Sequence, residues 1–267
     1  MTNIISDPQE ISRLAAVFQA ENSEDFEPET VEPPDNEVFL PGGYISKDGS
    51  LIKLAEIREL TGADEEALAK AGNTNRALNT ILNRGLVSVG GETVSKEVLD
   101  NLLSGDRDAI LLAIRNITFG SKIEYNVFCS GCSSSQNVEV DLVEDVDVKN
   151  LDDPFNDRLF TVQGKAGEIN VSLPNGITSN KFLDAENKSV AEMVTEVLSG
   201  CILSINDEPS LGRATALQLG ISDRELVTNE IYQRTPGPRL GEVKKACKAC
   251  DSELSLSLSL ASLFRLQ

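Results

Sequence analysis

The residues best suited to chemistry in this chain are its cysteines. Cys129-Ser130-Gly131-Cys132 and Cys247-Lys248-Ala249-Cys250 form two CxxC pairs, and Cys201 is the fifth and last cysteine. A CxxC on a tight turn between two strands turns both sulfurs to one side, which supplies half of a tetrahedral thiolate site for zinc. Four thiolates at about 2.3 Å close such a site, so its role is structural, with no open position for water or substrate. Zinc ribbons ordinarily separate their pairs by about fifteen to twenty residues. Here a whole repeated unit intervenes, so Cys129, Cys132, Cys247 and Cys250 meet at one ion only if the fold brings distant segments together. Intermolecular zinc, disulfides and unmetallated thiols are the alternatives. A redox CxxC opens a helix after a strand, where the dipole lowers the thiol pKa, and neither pair opens a recognisable helix. Cys201 follows the helix-ending Gly200 and starts an apolar strand, the place of a small buried side chain.

The elements that must position these cysteines occur twice. Val38-Phe39-Leu40-Pro41-Gly42-Gly43 is answered by Val171-Ser172-Leu173-Pro174-Asn175-Gly176, each an apolar run ending in a turn signal. A helix closed by glycine follows, ending Leu78, Ile81, Leu82, Gly85 in one copy and Val190, Met193, Val194, Val197, Leu198, Gly200 in the other. Short strands come next, Leu86–Val89 and Ile202–Ile205. A further helix opens at Asp106-Arg107 and at the capping box Ser222-Asp223-Arg224-Glu225, and is stopped by Gly120 or by Pro236-Gly237-Pro238. Each copy then ends as strand, CxxC, strand. Ile123, Tyr125 and Val127 alternate before the first pair, Val138, Val140 and Leu142 after it, and Leu254, Leu256, Leu258 and Leu260 after the second. Ser46 to Asp64 shows little counterpart in the second copy.

Composition narrows the function. There are 24 Lys+Arg against 43 Asp+Glu, a net charge of −19, and no histidine or tryptophan. Zero histidine removes Ser-His-Asp triads, Cys-His dyads and HExxH zinc enzymes. No phosphate-cradling loop is present, since Gly164-Lys165 continues with alanine, and no GxGxxG or GxSxG occurs. The chain therefore reads as no enzyme. Its negative charge disfavours direct contact with nucleic acid or an anionic bilayer. Met1 to Gln9 has no signal-peptide pattern, and no stretch of eighteen apolar residues occurs, which sets the expectation of a chain made in a reducing cytoplasm.

Residues 1–37 form an acidic arm. Asp7-Pro8-Gln9-Glu10 starts a short amphipathic helix with Ile11, Leu14, Ala15 and Phe18 on one face, and Glu21 to Glu37 carries eight carboxylates and three prolines with no Lys or Arg. The expectation is a tether whose Ile11, Leu14 and Phe18 dock on a neighbour. The acidic run of residues 144–157 lacks the glycine turn and terminal glutamate of a calcium loop and reads as a solvated linker. The expected fold is α+β: two similar subdomains, 38–143 and 158–267, of helices with short antiparallel strands, each ending in a CxxC hairpin, the two hairpins together making a zinc-ribbon-like site.

The order Leu40-Pro41-Gly42-Gly43, Asp64-Glu65-Glu66-Ala67-Leu68, Asp106-Arg107-Asp108-Ala109-Ile110-Leu111-Leu112-Ala113-Ile114-Arg115, Phe119-Gly120, Tyr125 and Cys129-Ser130-Gly131-Cys132 resembles the baseplate hub protein family of T-even-type tailed bacteriophages. The resemblance runs from about Leu40 onward and is densest between Asp106 and Cys132. It implies a part in building the tail baseplate, as a structural virion subunit or adaptor contacting other tail proteins and assembled in the host cytoplasm. The alternatives are an assembly chaperone of the hub or tape measure that is absent from the mature virion, and an acidic zinc-ribbon regulator that binds a host protein. The serine-rich segment Ser255 to Ser262 and the arm have no place in that family pattern.

Overall fold

Strand pairing begins where the acidic run gives way to Val38, Phe39 and Leu40, side chains that suit a half-buried pleat. The computed structural model describes residues 36–181 and 188–265. In it β1 (Glu37–Ile45), β2 (Leu51–Ile57), β3 (Leu86–Val89) and β4 (Glu92–Thr93) form an antiparallel sheet in sequence order. Helices α1 (Gly62–Leu68) and α2 (Thr74–Gly85) lie between β2 and β3. The Asn73 side chain caps α2 by accepting the Arg76 N–H at 2.8 Å, and Ala77, Ile81 and Leu82 form its buried stripe. Helix α3 (Lys96–Asn101), capped by Ser95, leads to α4 (Ser104–Phe119), whose Ile110 and Ile114 are fully buried. Gly120, at φ +84°, ends α4 in a conformation that L side chains resist. The hairpin β5 (Lys122–Cys129) and β6 (Ser134–Asp141) follows.

The chain then passes through β7 (Val148–Lys149) into β8 (Leu159–Gly164) and β9 (Gly167–Ser172). Helices α5 (Gly176–Asn180) and α6 (Val190–Cys201) separate β9 from β10 (Ile202–Ile205) and β11 (Glu208–Pro209). These four strands form a second antiparallel sheet, again in sequence order. Ser189 and Glu192 build a capping box on α6. Helices α7 (Arg213–Gln218) and α8 (Ile221–Arg234), strand β12 (Gly237–Pro238), the hairpin β13 (Val243–Ala246) and β14 (Glu253–Leu256), and α9 (Leu260–Leu263) complete the order. The architecture is mixed α+β with small antiparallel sheets, and residues 34–267 group as one unit. The arm's Ile11, Leu14 and Phe18 lie outside the described residues.

Several alignments read from the sequence shift. Val171 lies in β9, pairing with Phe160 of β8 and Ile202 of β10, so the strand that matches β1 in order is β8. Ser46 to Asp64 contains β2, which holds the same place in its sheet as β9. An alternating strand looks the same wherever it sits in a sheet, so a period of two cannot say which strand is which. The final alternation is also not one strand. β14 stops at Leu256, and Ser259 caps α9 by accepting the Ser262 N–H at 3.2 Å, because a serine that faces solvent in a strand caps a helix equally well.

Ser222 is likewise no cap: α8 starts at Ile221, without a side-chain cap. Its Asp223 reaches out of the helix instead and accepts the backbone N–H groups of Lys165 (2.9 Å) and Ala166 (2.8 Å) in the β8–β9 turn. Asp106, at the same third position of α4, accepts the Gly42 N–H of β1 at 2.6 Å. The arginines that follow correspond too. Arg107 donates to Leu99 O (2.8 Å) and Asn79 Oδ1 (3.0 Å), and Arg224 to Ala216 O (2.7 Å) and Thr195 Oγ1 (2.8 Å). Each Asp-Arg pair thus ties its helix to a sheet through the aspartate and to two earlier helices through the arginine.

The stretch of residues 144–157 is more than solvated chain. Val146 and Leu151 are buried, β7 pairs with β12, and Leu151 N–H donates to Pro41 O at 2.9 Å. Nearby, Gly105 and Pro236 meet so closely that a Cβ on Gly105 would stand 1.6 Å from Pro236 O. One apolar cluster lies against the first sheet, a second against the other, and a third (including Leu112, Val140, Val243, Leu256 and Leu263) beneath the two hairpins.

Candidate metal centre

Alternation builds both hairpins. Along β5 and β6 the register runs from Lys122↔Asp141 to Cys129↔Ser134, with Val138 and Val140 buried and Glu139 exposed. Along β13 and β14 it runs from Val243↔Leu256 to Ala246↔Glu253, burying Val243, Leu254 and Leu256. Each hairpin turns through its CxxC, and the residue after the second cysteine, Ser133 or Asp251, has φ +56°. That left-handed residue reverses the chain immediately after the pair, leaving both sulfurs on one side.

The two turns face each other. Cys129 Sγ and Cys250 Sγ are 3.7 Å apart, as are Cys132 Sγ and Cys247 Sγ, and all four sulfurs lie within 4.8 Å of one another. A tetrahedron with metal–sulfur distances of about 2.3 Å has edges of about 3.8 Å, so the donor set fits one four-coordinate thiophilic ion. None of the five cysteines is in a disulfide. Cys129 and Cys247 are buried on Val138 and Leu254, whereas Cys132 and Cys250 are exposed. Among the described residues this is the one group of three or more potential ligands placed to share an ion.

Hydrogen bonds orient the sulfurs. The backbone N–H groups of Gly131 and Cys132 point at Cys129 Sγ, and those of Ala249 and Cys250 at Cys247 Sγ. Ser134 Oγ lies 3.0 Å from Cys132 Sγ, and Ser252 Oγ 3.2 Å from Cys250 Sγ. Gln136 crosses between hairpins: its Nε2 donates to Cys247 Sγ at 2.9 Å and its Oε1 accepts the Lys248 N–H at 3.0 Å. Lys248 Nζ returns a bond to Asn137 O at 2.9 Å. These bonds split the thiols. The N–H of Ala249, with that of Cys250 and the Gln136 amide, brings Cys247 down to about 6 against opposing burial. At Cys129 the N–H of Cys132 acts downward, but burial and bonding to the neighbouring thiols outweigh it and hold the group at about 11. Four thiolates at these distances repel strongly, and a divalent cation removes that cost.

The four sulfurs that the sequence singles out are the ones the fold brings within 4.8 Å of one another. The sequence did not identify the groups around them. A serine two residues after each pair, Ser134 and Ser252, is a readable repeat, whereas Gln136 stands where the second hairpin has Leu254 and carries no such signal. Cys201, at the end of α6 and fully buried, is pushed up to about 12 by burial and takes no part.

A family model described as T4 bacteriophage base plate protein matches residues 46–208, more than half of the chain. The chain belongs to that family. The base plate match runs from the turn after β1 to the start of β11, so it includes Cys129 and Cys132 and ends before Cys247 and Cys250. No curated protein and no solved structure matches the chain. Membership of the base plate family and the convergence of four thiols are thus separate observations. No described helix is long and apolar enough to cross a membrane.

Proposed function

We propose that this base plate protein is a structural, non-enzymatic subunit of the phage tail whose two CxxC hairpins are stapled by one zinc ion held by Cys129, Cys132, Cys247 and Cys250. The observation that carries the staple is the mutual approach of the four sulfurs to within 4.8 Å across hairpins more than a hundred residues apart. The ion would be held by thiolates alone, leaving no position for substrate, and its contribution would be rigidity.

The second half of the proposal concerns organisation. Residues 38–143 and 158–267 act as two copies of one unit joined by residues 144–157, a reading supported by the shared strand order and the two Asp-Arg ties. The two units present different surfaces to neighbouring tail proteins, as an adaptor requires, and the N-terminal arm of residues 1–37 docks on a neighbour through Ile11, Leu14 and Phe18. Assembly takes place in the host cytoplasm. Quantitative mass spectrometry of purified particles tests the role: stoichiometric presence in tails is expected, and presence in infected lysate with absence from particles would instead mark a departing assembly factor. Metal analysis of the purified chain tests the staple, with one zinc per chain expected.

A further inference from the structure

We infer that the cleft between the end of α4, strand β5 and α9 is a binding site for an acidic peptide segment of a partner protein, its carboxylates received by Arg115 and Arg265 and a neighbouring apolar side chain by Phe119 and Phe264. The cleft measures about 460 Å³. Arg115 is buried at 6 % exposure, yet its Nε has no hydrogen-bond partner, and its only bond among the described residues is from Nη1 to the Gly120 carbonyl. Neither Arg115 nor Arg265 forms an ion pair with a described carboxylate, although Glu124 lines the same cleft and Lys122 is taken by Glu139 at 3.1 Å. The Arg265 charge acts against that of Arg115, so two like guanidinium groups are held together. In a chain of net charge −19, two neighbouring arginines that no described carboxylate pairs, with Glu124 the one acid lining their cleft, leave a local positive surplus that a carboxylate from outside would relieve.

The apolar half of the site is equally specific. Phe119 is 60 % exposed and meets Phe264 edge-on, with ring centroids 6.4 Å apart. These two rings and Arg265 also border a second cleft of about 650 Å³, lined by Leu60, Leu68 and Ala77. The two hollows share Phe119, Phe264 and Arg265, and the second also carries Glu65 on its wall. Guanidinium groups beside exposed rings suit a short segment in which acidic and apolar residues adjoin. A nucleic acid fits less well, because its continuous phosphates would face the negative remainder of the chain. The inference is independent of the metal reading.

Fluorescence anisotropy on the full chain tests it. The probe is a fluorescein-labelled peptide, Glu-Glu-Leu-Phe-Glu-Glu-Leu, compared with its glutamine-for-glutamate version and with a short single-stranded DNA. Saturable binding to the acidic peptide is expected, weakened about tenfold by Arg265→Glu at an unchanged melting temperature, since one charge-assisted contact is lost and another made repulsive. Arg115→Lys, which keeps the charge but not the guanidinium fork, should weaken binding less. Equal binding of the glutamine peptide, tighter binding of the DNA, indifference to Arg265→Glu, or no saturation by the acidic peptide would each overturn the inference.

Discussion

Replacing Cys250 by serine separates the metal's contribution from that of packing. Cys250 is exposed, so exchanging sulfur for oxygen there should by itself cost no more than about 0.5 kcal/mol. With an ion bound the cost is different, because a hydroxyl is a poor zinc ligand at neutral pH and the tetrahedron loses a corner. Structural zinc in small domains contributes roughly 10–16 kcal/mol, of which one ligand holds only part. A lower figure follows from topology. Cys129 and Cys247 stand more than a hundred residues apart, and closing a loop of roughly 120 residues costs about 4 kcal/mol of chain entropy that a fixed clip removes from folding. For a chain of this size, loss of the whole clip corresponds to a melting temperature lower by roughly 8–16 °C, of which Cys250→Ser should show a measurable part. Differential scanning calorimetry with metal analysis measures both quantities. Chelator-treated wild type should melt no higher than Cys250→Ser, and chelator should lower the melting temperature of the variant by less than that of wild type. A variant that melts with wild type and retains one zinc would refute the argument, as would wild type purified without metal and indifferent to chelator.

Three other perturbations probe separate parts of the molecule. Gln136→Leu removes the amide that donates to Cys247 Sγ from the opposite hairpin, so metal retention measured against a chromophoric chelator should weaken by about ten- to a hundredfold, with metal-free melting unchanged. Gly105→Ala places a Cβ 1.6 Å from Pro236 O, and its unfolding free energy in urea should fall by at least about 3 kcal/mol; a smaller loss would mean that the junction yields easily. Asp106→Asn addresses pH. Burial raises Asp106 to about 7, against the downward pull of the Gly42 N–H and Arg158, so the folded state holds this proton more tightly than the unfolded chain. The resulting stability is complete below pH 4 and lost as pH rises through 7, with a ceiling of about 4 kcal/mol for a shift of some three units. Asparagine, which keeps the acceptor for Gly42, should flatten that decline between pH 5 and 8. Equal slopes for both proteins in urea titrations would contradict the assignment; Asp108, raised by burial to about 6, is common to both and cancels.

The legible part of this molecule was what local periodicity encodes. Helix ends at Gly85 and Gly120 and the hairpin alternation of Ile123, Tyr125 and Val127 follow from side-chain type and spacing, whereas the pairing of CxxC with CxxC was to be expected only from their like places in the two copies, against their spacing. What the spacing could not encode was which strand neighbours which, and so β8 rather than β9 has the place in its sheet's order that β1 has in the first. Nor does a local rule distinguish an aspartate that caps its own helix from one that reaches a turn elsewhere. Asp223 sits three residues into α8 with a serine before it, looks like part of a cap, and bonds Lys165 and Ala166 instead. Gln136 was invisible for a related reason: its partners, Cys247 and Lys248, are its neighbours only after the hairpins meet.

The wide separation of the two cysteine pairs also orders events in time. At about 5–20 residues per second, translation delivers the second pair roughly 6–24 seconds after the first. During that interval Cys129 and Cys132 emerge without their partners, free to coordinate an ion jointly with a pair from another nascent copy on the same messenger. Rapid capture of zinc, before the later pair exists, would therefore favour cross-linked chains over closed ones, and slow metal delivery would favour correct maturation.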